Sequence, residues 1–244
     1  MDRAVGQPVE LTLADLEQSD TVLRGEGIVI DPIGAIFAVV VLELVVTSDA
    51  SIWSGLRDFV VRMGLGGRQR LPADDDPVTA WQRQSDEVNR LSEWMEGKEE
   101  VHITGPDTDI KLGVADRKFI PCVGEHNMPD GEFFTGPIED SVNGEIAFSF
   151  PATYGGREVA GVRFRFEDGK VVDASAERGE EFLIELIDTD EGARRLGELG
   201  IGTNYGISTG TKEILLDEKI GGTVHMAIGM SYPETGGVND SAVH

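Results

Sequence analysis

The spacing of apolar residues along the chain changes near residue 100. Before that point, apolar residues recur at three- and four-residue steps, which predicts one face of a helix. These residues are Val78, Trp81, Val88, Leu91 and Met95. Asp76 is suited to cap this helix, Pro77 to its first position and Gly97 to the position after its end. The pattern therefore predicts an amphipathic helix between Pro77 and Gly97.

After residue 100 apolar and polar residues alternate, which predicts strands. The predicted strands are 101–103, 110–112, 145–150, 161–166, 170–176, 214–216 and 223–228. The pair Asp168-Gly169 predicts a hairpin, and helices are predicted at 180–187 and after a cap at Thr189. Because strands and helices are each grouped, we predict an α+β fold with an antiparallel-rich mixed sheet and flanking helices.

Residues 1–75 have a weaker pattern. The apolar run 33–46 contains Glu43 and is shorter than the roughly 18–20 residues that a membrane span requires, so we interpret it as a buried strand or core helix. An amphipathic helix is predicted around 52–63. The predicted organisation is an N-terminal segment, residues 1–75, followed by a domain of residues 76–244 without internal repeats.

The charge balance is strongly acidic. Asp and Glu number 45 against 21 Lys and Arg, which gives a formal net charge of −24. Such a surface repels nucleic acid and anionic membranes, so neither is an expected partner. The dispersed acidity resembles that of proteins from salt-loving organisms. Cys122 is the single cysteine, which rules out an intramolecular disulfide, and no signal-peptide pattern is present, so a cytoplasmic location is predicted.

Four segments of the second half combine carboxylates or histidines with glycines. They are NMPDGE at 127–132, GELGIGTN at 197–204, DEKIGGTVH at 217–225 and SAVH at 241–244. Clustered carboxylates repel one another unless a cation neutralises them, and a set of carboxylates and imidazoles suits Zn²⁺, Co²⁺ or Mn²⁺, with Mg²⁺ at a harder site. Each residue alone also has an ordinary role. A Glu beside Gly is usually a turn or cap residue, and a His in an apolar run such as TVHMAIG is usually a core residue.

These segments, together with DDPVTAW, GPDTDIKLGV, HNMPDGEFFTGP and SAERGEEFL, resemble the thermophilic metallo-aminopeptidases of the aminopeptidase T and S type over about residues 68–244. The resemblance implies the C-terminal catalytic domain of a two-domain, dimeric enzyme. Such enzymes use water activated by two divalent metal ions to release N-terminal residues from peptides with a free N-terminus. The metal-site residues implied by position are Glu132, Glu198, Glu218, His225 and His244. The implied catalytic residues are Glu132 and Tyr232.

The sequence departs from the family pattern at both ends. The family has an aspartate two residues after its last histidine and an α/β domain before the catalytic one, so the resemblance implies a chain truncated at both ends. From such a chain we expect weak aminopeptidase activity. The alternative is a non-catalytic metal-binding or dimerisation remnant. Tyr232 is expected to stabilise the oxyanion, and Asp130 or Asp217 to hold the substrate's α-ammonium group.

Overall fold

The computed structural model of the chain describes residues 77–244 except 126, 128 and 208, together with the backbone of Val9–Thr12. The rest of segment 1–75, including the apolar run at 33–46 and the helix predicted around 52–63, lies outside the described residues. The described residues 9–12 and 85–244 belong to one compact unit. Of the other unit, 24–84, only residues 77–84 are described, and they are helical. In this described part of the chain, no helix is long and apolar enough to cross a membrane.

Helix α1 spans Pro77–Met95, as the sequence predicts. Val88 and Met95 are fully buried, and Gly97, with a φ of +76°, follows the helix end. The buried hydroxyl of Ser92 donates a hydrogen bond of 2.6 Å to the carbonyl of Phe119, which fixes the helix to the chain that follows. The predicted helix is therefore confirmed.

Two further helices and the strands make up the remaining elements. The strands, in chain order, are β1 Val9–Thr12, β2 Glu100–Gly105, β3 Thr108–Gly113, β4 Ile120–Cys122, β5 Glu132–Thr135, β6 Asn143–Ala147, β7 Ala152–Tyr154, β8 Arg157–Val159, β9 Arg163–Glu167, β10 Lys170–Ser175, β11 Leu196–Gly202 and β12 Val224–Ile228. Helix α2 spans Glu180–Ile187, α3 spans Ile214–Asp217, and a 3-10 turn spans Pro233–Thr235.

The strands form a large, a small and a two-stranded sheet. The large sheet has the order β1-β2-β3-β6-β9-β10, with β1 parallel to β2 and all other neighbours antiparallel. The small sheet has the antiparallel order β12-β11-β5-β4, and β7 pairs with β8. One apolar cluster includes residues of the large sheet (Ile110), the small sheet (Phe133, Leu199) and helix α2 (Ile187). The predicted α+β fold with an antiparallel-rich mixed sheet is confirmed.

The predictions of the hairpin at Asp168-Gly169 and of the helix at 180–187 are confirmed. Asp168 and Gly169 both have positive φ, 49° and 77°, and they join β9 to β10 as predicted. The helix predicted at 180–187 is α2. The helix predicted after Thr189 is wrong, because the carboxylate of Asp190 accepts hydrogen bonds from the backbone of Gly192 and Ala193 in a turn.

A second wrong prediction is the strand at 214–216, which is the short helix α3. Asp217 accepts hydrogen bonds from the backbone N–H groups of Thr211 and Lys212, at 2.7 and 2.8 Å, and this closes the chain into a compact turn. The sequence reasoning also missed six strands. They are β1, β4, β5, β7, β8 and β11.

Candidate metal centre

Three of the predicted ligands project from one face of the small sheet. Glu132 on β5 pairs with Gly202 on β11, and His225 on β12 pairs with Gly200 on β11. Side chains of paired residues point to the same face, as do those of every second residue along a strand. Glu198, two residues before Gly200, therefore shares this face with Glu132 and His225. The two glutamates lie on strands, not on the Gly-rich turns that the sequence suggested.

Gly200 provides the space for the His225 ring. A Cβ atom at Gly200 would lie 2.0 Å from His225 Nε2 and 2.2 Å from Cε1, far inside van der Waals contact. Only a residue without a side chain allows the imidazole to lie across the centre of β11. The glycines of GELGIGTN thus make room for neighbouring groups, a side chain at Gly200 and a carbonyl at Gly202.

The ring of His225 brings the carboxylates together. His225 Nε2 lies 3.1 Å from Glu132 Oε2 and 3.3 Å from Glu198 Oε1. The other carboxylate oxygen of Glu198, Oε2, lies 3.6 Å from His244 Nε2. One ligand atom each of Glu132, Glu218 and His225 lies within 4.8 Å of the others. The structure therefore brings together all five residues to which the sequence assigned metal binding.

Glu218 reaches the cluster because the chain after α3 packs against the end of β11. A Cβ atom at Gly202 would lie 2.1 Å from the carbonyl oxygen of Ile220, so this approach requires glycine. Lys219 is brought in with Glu218, and its Nζ donates to Glu132 Oε1 at 2.9 Å and to Glu218 Oε1 at 2.5 Å. The Lys219 side chain is fully buried. The sequence reasoning missed it.

His244 is held by the segment 239–244, which Asp190 anchors. The carboxylate of Asp190 accepts hydrogen bonds from Ser241 Oγ and the backbone N–H of Ala242, at 3.0 and 2.7 Å. His244 Nδ1 lies 2.8 Å from the carbonyl oxygen of Met230. A carbonyl only accepts, so Nδ1 donates this hydrogen bond and Nε2 is the nitrogen that faces Glu198.

Tyr232 lies at the edge of the cluster. Its ring packs on His244 with centroids 4.7 Å apart and on Phe134 with centroids 5.3 Å apart, and it is 36% exposed. Burial raises the pKa of Tyr232, and so do the nearby carboxylates, Glu198 first. The phenol therefore keeps its proton at neutral pH and is able to donate a hydrogen bond.

The imidazole and carboxylates of the cluster shift one another's pKa values. Burial lowers the pKa of His225, but Glu132 and Glu198 outweigh it and raise the value to about 9. Burial raises the pKa of Glu132, yet His225 and Lys219 bring it below its usual range. Burial and the charge of Glu132 raise the pKa of Glu218. The metal-free cluster is therefore held together by the protonated His225 and by Lys219.

The donor set fits a divalent cation. Within the described residues, Glu132 Oε2 and both ring nitrogens of His225 are buried without a partner in hydrogen-bond geometry, although Nε2 has ionic contacts with Glu132 and Glu198. Buried polar atoms are rarely left unpaired, and those that are require an explanation, such as an ion. Carboxylate oxygens combined with imidazole nitrogens are ligands that Zn²⁺, Co²⁺ and Mn²⁺ accept.

Two acidic residues proposed for the substrate's α-ammonium group have other partners. Asp130 is fully buried, accepts hydrogen bonds from the backbone of Gly124 and Gly131 at 2.9 and 3.0 Å, and is not accessible to a substrate. Asp217 binds the backbone of the turn before α3. The structure therefore gives both residues a structural role, and the expectation that either binds an α-ammonium group is dropped.

Comparisons with known proteins agree with this geometry. The family model for the thermophilic metalloproteases, M29, matches residues 69–244. The chain is 34% identical over 199 residues to Aminopeptidase 2 of Geobacillus stearothermophilus, covering 70% of this chain and 48% of that protein. It is 35% identical over 177 residues to Aminopeptidase T of Thermus aquaticus, covering 66% and 42%.

A solved structure shares the fold. Wild-type AmpT from Thermus thermophilus superposes with a TM-score of 0.60 at 28% identity, covering 81% of this chain and 53% of that one. The chain thus spans about half the length of the relatives it matches. The family model covers most of the chain, including every residue of the cluster. The chain belongs to the M29 family of thermophilic metalloproteases.

Proposed function

We propose that residues 77–244 form the metal-binding catalytic part of an aminopeptidase that acts on peptides with a free N-terminus. The observation that supports this most is the convergence of Glu132, Glu198 and His225 over Gly200, with buried ligand atoms that have no hydrogen-bond partner in the described structure. Family membership implies a divalent cation. We further propose two such cations, held by Glu132, Glu198, Glu218, His225 and His244, and a homodimeric assembly like that implied by the family.

Divalent cations supply Lewis acidity at such a site, because they lower the pKa of water from 15.7 to about 7 and polarise carbonyl groups. The chain's own residues provide the rest. Glu132 is the proposed ligand and catalytic carboxylate, as the resemblance implied, and Glu218, whose pKa is raised by burial, is a second carboxyl group able to hold a proton. The phenol of Tyr232 is placed to donate a hydrogen bond to the developing oxyanion.

Metal reloading tests the proposal on the chain itself. After removal of metal by chelation, added Co²⁺ or Zn²⁺ at about 100 times its Kd is expected to stabilise the fold by about 2.7 kcal/mol, or roughly 5–10 °C in melting temperature. Reloaded protein is expected to release leucine slowly from a peptide with a free N-terminus and to leave the N-acetylated peptide intact. The measurements are thermal melting and peptide hydrolysis, each with and without metal.

The two measurements separate the alternatives. Binding of metal without hydrolysis of either peptide would favour the non-catalytic metal-binding role. Cleavage of the acetylated peptide would contradict the aminopeptidase assignment, and an unchanged melting temperature would contradict the metal site itself.

Metal binding is expected to strengthen with pH. In the metal-free chain the pKa of His225 is about 9, and its ring nitrogen binds metal only after losing a proton. Below pH 9 the affinity is therefore expected to rise about tenfold per pH unit. Titrations at pH 6.5, 7.5 and 8.5, in buffers of different ionisation enthalpy, measure the affinity and the proton released. An affinity that is constant over this range would show that His225 does not bind the metal.

The metal-free chain is expected to have the opposite pH dependence. The pKa of His225 is raised in the folded state above its ordinary value of 6.5. Its contribution to stability is therefore fully present below about pH 6.5 and is lost as the pH rises through about 9. The increase in melting temperature caused by metal should consequently be larger at pH 8.5 than at pH 6.5.

A further inference from the structure

Lys219 lies behind the carboxylates of the cluster and contacts two of them. Its Nζ donates to Glu132 Oε1 at 2.9 Å and to Glu218 Oε1 at 2.5 Å, and it lies 4.0 Å from Asp130 Oδ1. The second oxygen of Glu132, Oε2, is the atom that lies 3.1 Å from His225 Nε2. Lys219 therefore binds one oxygen of each glutamate, and the second oxygen of Glu132 is left facing His225.

The burial of Lys219 indicates a role other than contact with substrate. The exposed fraction of its side chain is 0%, whereas lysines are almost never fully buried unless they are paired. A group without solvent access is not available to a peptide substrate. Whatever Lys219 contributes to the site, it contributes through Glu132 and Glu218.

We propose that Lys219 is a positioning residue, whose ammonium group fixes the orientations of Glu132 and Glu218 as metal ligands. Ligating carboxylates are usually held by hydrogen bonds from residues outside the metal's own ligands, and loss of such a partner typically costs about 10- to 100-fold in metal affinity or activity. The ammonium group also offsets negative charge that would otherwise be buried uncompensated. This inference rests on the proposed metal site.

The test replaces Lys219 by methionine, which keeps the length of the side chain and removes the charge. The Lys219→Met chain is expected to bind Co²⁺ about 10- to 100-fold more weakly than the wild type. Its visible Co²⁺ spectrum is expected to change, because freed carboxylates take up different angles around the ion. Lys219→Arg, which keeps the charge, is expected to restore part of the affinity.

A matched control is Lys212→Met. Lys212 is exposed and pairs with Glu158 at 2.5 Å, outside the cluster. Exposed ion pairs contribute little, at most about 1 kcal/mol, so this variant should keep the wild-type affinity and Co²⁺ spectrum. A general effect of removing any lysine from this acidic chain would lower the affinity of both variants equally and would overturn the inference.

The outcomes separate this inference from the proposed function. A wild-type chain that does not bind Co²⁺ removes the metal site, and with it any positioning role. If the wild type binds and Lys219→Met binds with the same affinity and spectrum, Lys219 does not position the ligands and the metal site stands.

If Lys219→Met does not fold, two other variants are compared, of which the double variant keeps the net charge of the wild type. The double variant Glu218→Gln with Lys219→Met loses one charge of each sign and is compared with Glu218→Gln alone. The double variant is expected to bind Co²⁺ about tenfold or more weakly than the single variant, because Glu132 has lost its partner. Equal binding by the two would contradict the inference.

Discussion

Replacing Gly200 by alanine is expected to abolish tight metal binding in a chain that still folds. The added Cβ would lie 2.0 Å from His225 Nε2, so the imidazole must leave its place over β11. That movement takes Nε2 away from Glu132 and Glu198, and a ligand is lost. Removing only a supporting partner costs about 10- to 100-fold, so loss of a ligand is expected to cost more than about 100-fold in affinity.

The fold is expected to survive because alanine adopts the backbone conformation of Gly200 without strain. Its φ lies outside the left-handed region in which several other glycines of the chain are found. The change is measured as Co²⁺ affinity by competition with a chelator, with melting of the metal-free chain as the test of folding. Gly210→Ala is the control, because its Cβ would meet the exposed ring of Phe150 at 3.0 Å and Asp217 Oδ2 at 3.8 Å, and neither His225 nor Glu132. Wild-type affinity in the Gly200→Ala chain would show that His225 is not a ligand.

The elements that were predictable from the sequence are those decided by neighbouring residues. Helix α1 has proline at its start, glycine after its end and buried residues at helical spacing, and each of these signals acts within a few residues. The hairpin between β9 and β10 follows from the positive φ of Asp168 and Gly169. Such local chemistry needs no knowledge of the rest of the chain.

Strand β11 was missed because its sequence gives the wrong local signal. In LGELGIG the glycines weaken the strand propensity and suggest turns. Glycine is required at both positions because groups from elsewhere in the chain approach the strand closely. The ring of His225 lies against Gly200, and the carbonyl group of Ile220 lies against Gly202. A sequence cannot show these contacts locally, so Glu198 was placed beside a turn although it lies on a strand.

The wrong helix after Thr189 has a similar cause. A threonine followed by acidic residues is typical of a helix start, and Thr189 was interpreted as the cap. In the structure one of its oxygens binds the turn at Gly192 and Ala193 and the other binds the segment that holds His244. Asp190 therefore holds a turn and a distant segment and does not lie in the first turn of a helix.

Lys219 illustrates a role that only the assembled site shows. In the sequence DEKIGG the lysine looks like a solvated residue between acidic neighbours. Its burial follows from the packing of this segment against Gly202, which places the ammonium group between Glu132 and Glu218. The family resemblance supplied the proposed ligands, whereas the group that holds two of them became visible only in the structure.

Replacing Glu132 by glutamine is expected to remove metal binding more completely than any other single change. Glu132 contacts both Lys219 and His225. Its Oε1 accepts a hydrogen bond from Lys219, and its Oε2 lies 3.1 Å from His225 Nε2. A glutamine has one acceptor oxygen in place of two. If that oxygen accepts a hydrogen bond from Lys219, the amide NH₂ group faces His225. Neither the oxygen nor the nitrogen is then free to bind the metal. We expect Co²⁺ affinity to fall more than about 100-fold and metal-dependent hydrolysis to be lost.

The same variant has an expected effect that requires no metal. Glu132 is the first of the two carboxylates that raise the pKa of His225 to about 9. In the metal-free Glu132→Gln chain this pKa is therefore expected to fall toward the ordinary value of 6.5, which a nuclear magnetic resonance titration of the imidazole measures. Glu145→Gln, at an exposed carboxylate on β6, is the control and should leave both the metal affinity and the His225 titration unchanged. A Glu132→Gln chain with wild-type affinity and a His225 pKa near 9 would show that the two residues do not form the centre of a metal site.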